Sequence, residues 1–337
     1  MDNTQKTKIY PIAFISLFFI LLLFLGLFRF ESVANLSAEK FHLRTKLISW
    51  AMNFKFLVIR DNFFNNMYTA DNLWLNYTGE LSIDDAQNAI PFNNEQLGII
   101  HEKLVNIQKT LNESGIKFYL VIPPNKNTIY PDDVTRIAPK IQPMSRLDQL
   151  IEYELDHEEI NVIDIRTELF DEKTTNQVFY STDTHWNDYG SWVGYYKIMN
   201  EISKDFPSIV VNSLEEFDIG YKTYSGDLSI KSGSLKIEET TQTLSLKNPR
   251  TVKHDKTELN NGLSVIRSQI DAPELPRALV FRDSFYTQLH GKMSQHFSTS
   301  ICVWSFVFDY SIVDEVKPDL VIYEITERYI NQLLRLP

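Results

Sequence analysis

Five short apolar runs constrain this chain more than any other feature: KFYLVI at 117–122, NVIDI at 161–165, ALVF at 278–281, SICVW at 300–304 and DLVIY at 319–323. Each has the length of a strand and few polar interruptions, the mark of a strand buried on both faces. Helical stripes stand between them. Leu97, Ile100, Leu104, Ile107 and Leu111 recur at steps of three and four, and Gly115 follows where a C-terminal cap belongs. Met144, Leu147, Ile151 and Leu155 make a second stripe; Tyr189, Trp192, Val193, Tyr196 and Met199 make a third. The alternation predicts an α/β fold, a parallel sheet flanked by helices on both faces. Residues 207–275 break the rhythm. They are polar, rich in Ser, Thr and Lys, and alternate in TQTLSLK, which predicts a β-rich insertion or small lobe. The resulting division is a tail at 1–8, an apolar segment at 9–28, an irregular and mostly helical approach segment at 29–95, and a main domain at 96–337.

The segment at 9–28, IYPIAFISLFFILLLFLGLF, carries no charge and is long enough to cross a bilayer as a helix. Lys6 and Lys8 precede it and Arg29 follows, which favours a cytoplasmic N-terminus. A cleaved signal peptide is the rival reading. Its apolar region is usually shorter, and FRFESVANLSAEK offers a poor cleavage site, so a retained single-pass transmembrane anchor is favoured, with the main domain extracytoplasmic, in a periplasm or at the cell surface. The net charge of −11 argues against a nucleic-acid partner. A single cysteine, Cys302, excludes an internal disulfide framework and a Cys-based zinc cluster. The seven histidines form no two-His pair at helical or strand spacing and no His-Glu-x-x-His, so no metal site is expected.

Two stretches could carry chemistry. In FYSTDTHWNDYG, 179–190, Asp183 and His185 lie two apart, so in extended backbone both point to one side. A carboxylate beside an imidazole is the orienting half of a nucleophilic triad. Asn187 or Asp188 could cap the helix that follows whether or not His185 acts. In ALVFRDSFYTQL, 278–289, an apolar strand runs into Arg282, Asp283 and Ser284 just before a helix. Sites in open α/β sheets lie at the carboxyl ends of strands. A serine there has an exposed hydroxyl, and the backbone N–H groups after it are candidates for an oxyanion hole. The plain alternative is that Asp283 or Ser284 only caps the helix.

DTHWNDYG, FRDSF, the closing KPDLVIYEITERYI and VIPPNKNTIYPDDV at 121–134 together resemble the SGNH-hydrolase-like proteins of bacterial polysaccharide O-acetylation, the alginate O-acetyltransferase group. The resemblance runs in order from about residue 60 to the end. It implies an SGNH-like, flavodoxin-like parallel sheet with a permuted catalytic order, Asp183 and His185 coming before Ser284. It also implies an extracytoplasmic O-acetyltransferase that transfers acetyl groups to hydroxyls of a cell-envelope or secreted polysaccharide through an acetyl-serine. Ser284 would be the nucleophile, His185 the base and Asp183 the group that orients it. No cofactor is implied. The implied partners are the polysaccharide and a multi-pass membrane O-acyltransferase that supplies acetyl groups. Asn125 and Lys126, after the strand ending at Ile122, are candidates to line the same edge, with Asn125 as an oxyanion donor or as a mere turn residue. Tyr180 and Trp186 are candidates to stack on a sugar ring, Trp186 first, and Asn187 is a further substrate candidate. Arg282 stands where many such enzymes have glycine; it would meet a negative charge or be a surface arginine. A carbohydrate acetyl-esterase with the same triad, or a non-catalytic glycan-binding subunit, are the alternatives.

Overall fold

A computed structural model of the chain describes residues 63–64, 66–70, 72–157, 160, 162–231 and 237–337. The tail at 1–8, the apolar segment at 9–28 and the first part of the approach segment lie outside the described residues. Among the described residues no helix is long and apolar enough to cross a membrane.

The described part opens with a small antiparallel sheet of β1 (Phe63–Phe64), β2 (Met67–Thr69) and β3 (Leu75–Tyr77), then a short helix α1 (Ser82–Ala86). Strands here depart from the mostly helical expectation. Met67 and Leu75 pack with Leu228, and Tyr68 packs with Val134 and Ala138, so these residues are set by contacts distant in sequence rather than by a local helical stripe. Helix α2 (Asn94–Glu113) starts with a capping box between Asn93 and Gln96. It ends in a Schellman turn: Gly115 takes φ 72°, its N–H bonds the Asn112 carbonyl, and the Ile116 N–H bonds that of Leu111.

The main sheet has seven strands in the order β5 (Val162–Asp164), β4 (Lys117–Ile122), β12 (Leu320–Glu324), β10 (Arg277–Arg282), β11 (Thr299–Trp304), β9 (Ser264–Gln269) and β8 (Lys253–Glu258). Strands β4, β5, β10, β11 and β12 are parallel and correspond to the five apolar runs. One face packs against α5 (Arg166–Glu172), α6 (Asp188–Asp205) and α8 (Tyr286–Met293), with Val121, Val280, Cys302 and Ile322 in that core. The other packs against α2, α4 (Arg146–His157, which follows the short α3, Lys126–Ile129) and α9 (Tyr310–Val316), with Leu120, Leu279, Ile301 and Val321 in the second core. This is the doubly covered sheet that continuous apolar strands demand.

Residues 207–275 do two things. Strands β6 (Phe217–Tyr224) and β7 (Glu239–Leu246) form a separate two-stranded ribbon, with α7 (Asp227–Lys231) between them. Strands β8 (Lys253–Glu258) and β9 (Ser264–Gln269) instead extend the main sheet antiparallel beside β11. The segment is therefore β-rich, but half of it is sheet edge rather than a lobe. The strand at this end of the sheet, KHDKTE, is charged and largely exposed, as suits a strand whose outer edge is unpaired among the described residues.

Candidate active site

The site forms where β10 ends. Arg282 closes the strand, Asp283 and Ser284 make the turn, and α8 begins at Tyr286. Asp283 shapes the turn. Its Oδ1 accepts the Phe285 N–H at 2.9 Å and its Oδ2 accepts the Thr326 N–H at 2.8 Å, while its own N–H donates to Glu324 Oε2 at 2.9 Å. So Asp283 ties the turn together through the Phe285 N–H, whereas α8, with Phe285 at its N-cap, has no side-chain cap, and the Ser284 hydroxyl is directed elsewhere. The first N–H after Ser284, that of Phe285, is taken by Asp283 and so is withdrawn from the expected oxyanion hole.

That hydroxyl meets His185. His185 Nε2 lies 2.8 Å from Ser284 Oγ, and its Nδ1 lies 2.6 Å from Asp183 Oδ1. The His185 N–H also donates to Asp183 Oδ1 at 3.0 Å, which folds the Asp-Thr-His stretch so that acid and imidazole share one side. Asp183 is buried, yet its Oδ2 accepts from the Tyr224 hydroxyl at 2.7 Å and the Asp227 N–H at 2.9 Å. Burial pushes the Asp183 carboxyl up, but the His185 bond and charge, the Asp227 N–H and the Tyr224 hydroxyl outweigh it and hold the group well below the usual carboxylate range. An ionised carboxylate only accepts, so Nδ1 carries a proton and donates to Asp183, which leaves Nε2 as the atom placed to accept from the Ser284 hydroxyl. Asp227, His185 and Asp183 bring ligand-type atoms within 4.8 Å of one another. Each of these atoms has a hydrogen-bond partner, with Asp227 accepting from the Thr184 N–H and hydroxyl.

The loop carrying Asp183 is held from both sides by residues distant in sequence. Lys126 Nζ is buried and donates to the carbonyls of Leu75 and Tyr180 at 2.7 Å and of Ser181 and Asp183 at 3.2 Å. Burial pushes this amine down to about 8, opposed by the charges of Glu239, Asp133, Asp183 and Asp227. Glu239, from the ribbon, accepts the N–H groups of Ser181 and Thr182 and the Thr182 hydroxyl. Gly226 lets the ribbon come close: a Cβ there would lie 2.4 Å from the Thr182 carbonyl oxygen and 2.5 Å from Asp183 Cβ.

Beyond the triad, most of the expected contacts with substrate are corrected. Lys126 is a buried crosslink. Trp186 is 0 % exposed; its Nε1 donates to the Phe285 carbonyl at 3.1 Å and its ring packs on Phe285, so it has no face for a sugar. Tyr180 is equally buried, stacked on Tyr224 at 4.2 Å. Asn187 caps α6, accepting the Gly190 N–H at 2.8 Å. Arg282 is neither a surface residue nor free to meet substrate charge: it is buried, with Nη1 on the Asp283 carbonyl and the Thr287 hydroxyl.

Asn125 keeps its candidacy. It is buried, its N–H donates to Glu327 Oε2 at 2.8 Å, and its Oδ1 faces Arg328 Nη1 at 3.4 Å. That leaves the Nδ2 amide group as a buried donor without a partner among the described residues. Arg328 also lies over the Phe285 ring, 5.3 Å from its centroid, so Asn125 and the serine turn share a neighbour. The turn after β12 thus ties together the loops after β4 and β10, the strands on its two sides. Glu324, Glu327 and Arg328 stand in the closing EITERYI stretch, where the sequence suggested a resemblance but no roles. Tyr224, Asp227 and Glu239 were missed altogether, because they come from the polar ribbon, where no local motif marks them.

Comparison with known proteins places the fold. Residues 69–301, most of the chain and including all three triad positions, match the family described as SGNH hydrolase-like domain, acetyltransferase AlgX. No curated protein matches the chain in sequence. Among solved structures it is similar to PatB1 of Bacillus cereus with a sulfonyl adduct, at TM-score 0.58 and 15 % identity over 77 % of this chain and 93 % of that one. It is similar to a DHHW family protein from Eubacterium siraeum DSM 15702, at TM-score 0.59 and 10 % identity over 82 % and 97 %. It is also similar to AlgX of Pseudomonas aeruginosa, at TM-score 0.53 and 15 % identity over 80 % and 65 %. With its sequence matched over most of its length, this chain belongs to the AlgX family of SGNH hydrolase-like O-acetyltransferases.

Proposed function

We propose that the protein is an extracytoplasmic O-acetyltransferase, anchored by residues 9–28, that acetylates hydroxyls of a cell-envelope or secreted polysaccharide through an acetyl-serine. The observation that carries the reading is the continuous Ser284–His185–Asp183 hydrogen-bond chain at a strand end, in a fold of this family. Ser284 Oγ attacks the carbonyl carbon of an acetyl ester while Nε2 of His185 takes its proton. The tetrahedral oxyanion is met by the free Nδ2–H of Asn125. Collapse breaks the ester bond; Nε2 returns the proton to the leaving oxygen, and an acetyl-serine remains. A sugar hydroxyl then enters. Nε2 takes its proton, the new oxygen attacks the acetyl carbon, and Ser284 Oγ leaves with the proton. Asp183 and its two donors hold the imidazolium formed in each half.

Acetyl-CoA is cytosolic, so an extracytoplasmic enzyme needs its acetyl groups passed across the membrane, and a multi-pass membrane O-acyltransferase is the supplier this reading requires. The test uses the full-length chain, a chromogenic acetyl ester and oligosaccharide acceptors. Acetylated saccharide should appear with the wild-type chain and not with Ser284→Ala. Free acetate as the sole product at every acceptor concentration would make the protein an esterase. A reporter active only outside the cytoplasm, fused after Pro337, should be active with the protein retained in the membrane; recovery of a shortened soluble form starting near Ser37 would show a signal peptide instead.

A further inference from the structure

The carboxyl edge of the sheet carries an indole that the chemistry above leaves unused. Side chains alternate between faces along β10 and β11. Ala278, Val280 and Cys302 lie in the core under α6 and α8. By the same alternation Arg282 and Trp304, which are register partners, continue that row beyond the core to the rim. Trp304 is 58 % exposed. One of its faces is occupied: the Arg282 guanidinium carbon lies 4.1 Å from the ring centroid. That guanidinium is itself held at 3.0 Å by the Asp283 carbonyl and the Thr287 hydroxyl, on either side of Ser284. The indole is therefore braced from below by a buried cation and presents its other face to solvent.

Ser284 lies two residues beyond Arg282, one strand away from Trp304. Neighbouring strands lie about 4.8 Å apart and Ser284 stands in the turn directly after β10, so serine and indole occupy adjacent strand ends, within the span of one or two saccharide rings. The other strongly exposed aromatics among the described residues, Phe170, Tyr196 and Tyr221, sit on α5, α6 and the β6–β7 ribbon rather than on a strand end beside β10. Leaving an indole in water is unfavourable unless a ligand covers it, and the C–H face of a pyranose suits a flat aromatic surface without desolvating its hydroxyls.

We propose that Trp304, braced by Arg282, is the stacking platform for a saccharide ring of the acceptor, next to the ring whose hydroxyl attacks the acetyl-serine. The proposal rests on the reading of the protein as a saccharide O-acetyltransferase and gives that reaction its acceptor subsite. Holding a neighbouring ring fixes the attacking hydroxyl, which is what lets a sugar compete with water for the acyl group.

Two measurements on the full-length chain test it. Binding of a neutral hexasaccharide (N-acetylglucosamine) and an anionic one (uronate) is measured by calorimetry in a Ser284→Ala background. Acetylated hexasaccharide and free acetate are measured together in one reaction with a small acetyl ester. Trp304→Ala and Trp304→Gln should weaken binding of the preferred hexasaccharide roughly tenfold, the loss of one good contact, and lower the ratio of transferred to free acetate by a similar factor. Trp304→Tyr keeps a stacking ring and should recover most of both. An unchanged ratio in Trp304→Ala overturns the proposal, as do equal defects in Trp304→Ala and Trp304→Tyr, or no binding of either saccharide. Saccharide binding that depends on Trp304, with only free acetate as product, would support the platform while refuting the transferase reading.

Discussion

Replacing Tyr224 by Phe removes one oxygen and tests whether the β6–β7 ribbon is part of the catalytic unit. The hydroxyl donates to Asp183 Oδ2 at 2.7 Å, and that carboxylate has the Asp227 N–H as its second donor on the same oxygen. Hydrogen bonds to charged, buried groups are worth about 1.5–3 kcal/mol. The ring stays, and with it the stack on Tyr180 at 4.2 Å, so packing is preserved. Asp183 keeps its bond to His185, so the loss is partial: about 1.5–2 kcal/mol of imidazolium stabilisation, or roughly a 10- to 30-fold fall in kcat/KM. Asp183→Asn, which reverses the tautomer demanded of His185, should fall on the order of 10⁴-fold. Tyr180→Phe is the control. Its hydroxyl is buried without a partner among the described residues, so removing it should leave activity near wild type and stability equal or higher. The assay is hydrolysis of a chromogenic acetyl ester, with urea unfolding run in parallel. A Tyr224→Phe enzyme within twofold of wild type would refute the claim that the ribbon's hydroxyl tunes the triad. A large loss in Tyr180→Phe would show that the effect belongs to packing instead.

Gly226→Ala should lower stability by about 1–3 kcal/mol and depress activity, because a Cβ 2.4 Å from the Thr182 carbonyl must push the ribbon, and the Asp227 N–H with it, away from Asp183; normal activity and unfolding midpoint would contradict this. Asn125→Ala should cost on the order of 10²–10³ in kcat with little change in KM, the usual result of losing one oxyanion donor, and steady-state kinetics reads it directly. Burial holds His296 neutral down to about 4, below its ordinary 6.5. The folded state thus binds fewer protons than the unfolded one between these values, so this contribution is full above pH 6.5 and is lost as pH falls towards 4. It amounts to about 2 kcal/mol between pH 7 and pH 5. Buried carboxyls such as Glu324, pushed up by burial, act with the opposite sign, so the comparison is between variants: His296→Gln should remove about that much from the pH dependence of the unfolding free energy.

The Ser284–His185–Asp183 contact was legible because both its parts sit on local signals, an Asp–His pair two residues apart and a serine directly after an apolar strand, although the Asp–His stretch is bent rather than extended and the His185 N–H bond to Asp183 is what brings the two to one side. The five parallel strands were legible for the same reason. What surrounds the triad was not. Tyr224 and Glu239 reach it from strands whose alternation is ordinary for a solvated ribbon, and only the tertiary contact gives them a role. Trp186 was misjudged through its position beside His185. Adjacent residues in extended backbone point to opposite sides, so a neighbour of the base is turned into the core, and here it packs on Phe285. The same parity, applied to SICVW and ALVFR with their strands in register, puts Trp304 and Arg282 together at the rim. Lys126 shows the converse limit: a charged residue beside a catalytic edge reads as functional, whereas four backbone carbonyls have claimed its ammonium.

The central claim is that Ser284 carries the acetyl group between donor and acceptor. It is tested most directly by quenching the full-length enzyme during turnover of a small acetyl ester and mapping the acetyl group by peptide mass spectrometry. One acetyl should be found on the peptide containing Ser284, on the serine oxygen, and it should disappear when an oligosaccharide acceptor is added and reappear on the sugar. Ser284→Ala should show none, and His185→Ala should acquire it far more slowly. Turnover that proceeds with Ser284 never acetylated, or that survives in Ser284→Ala, would contradict the account.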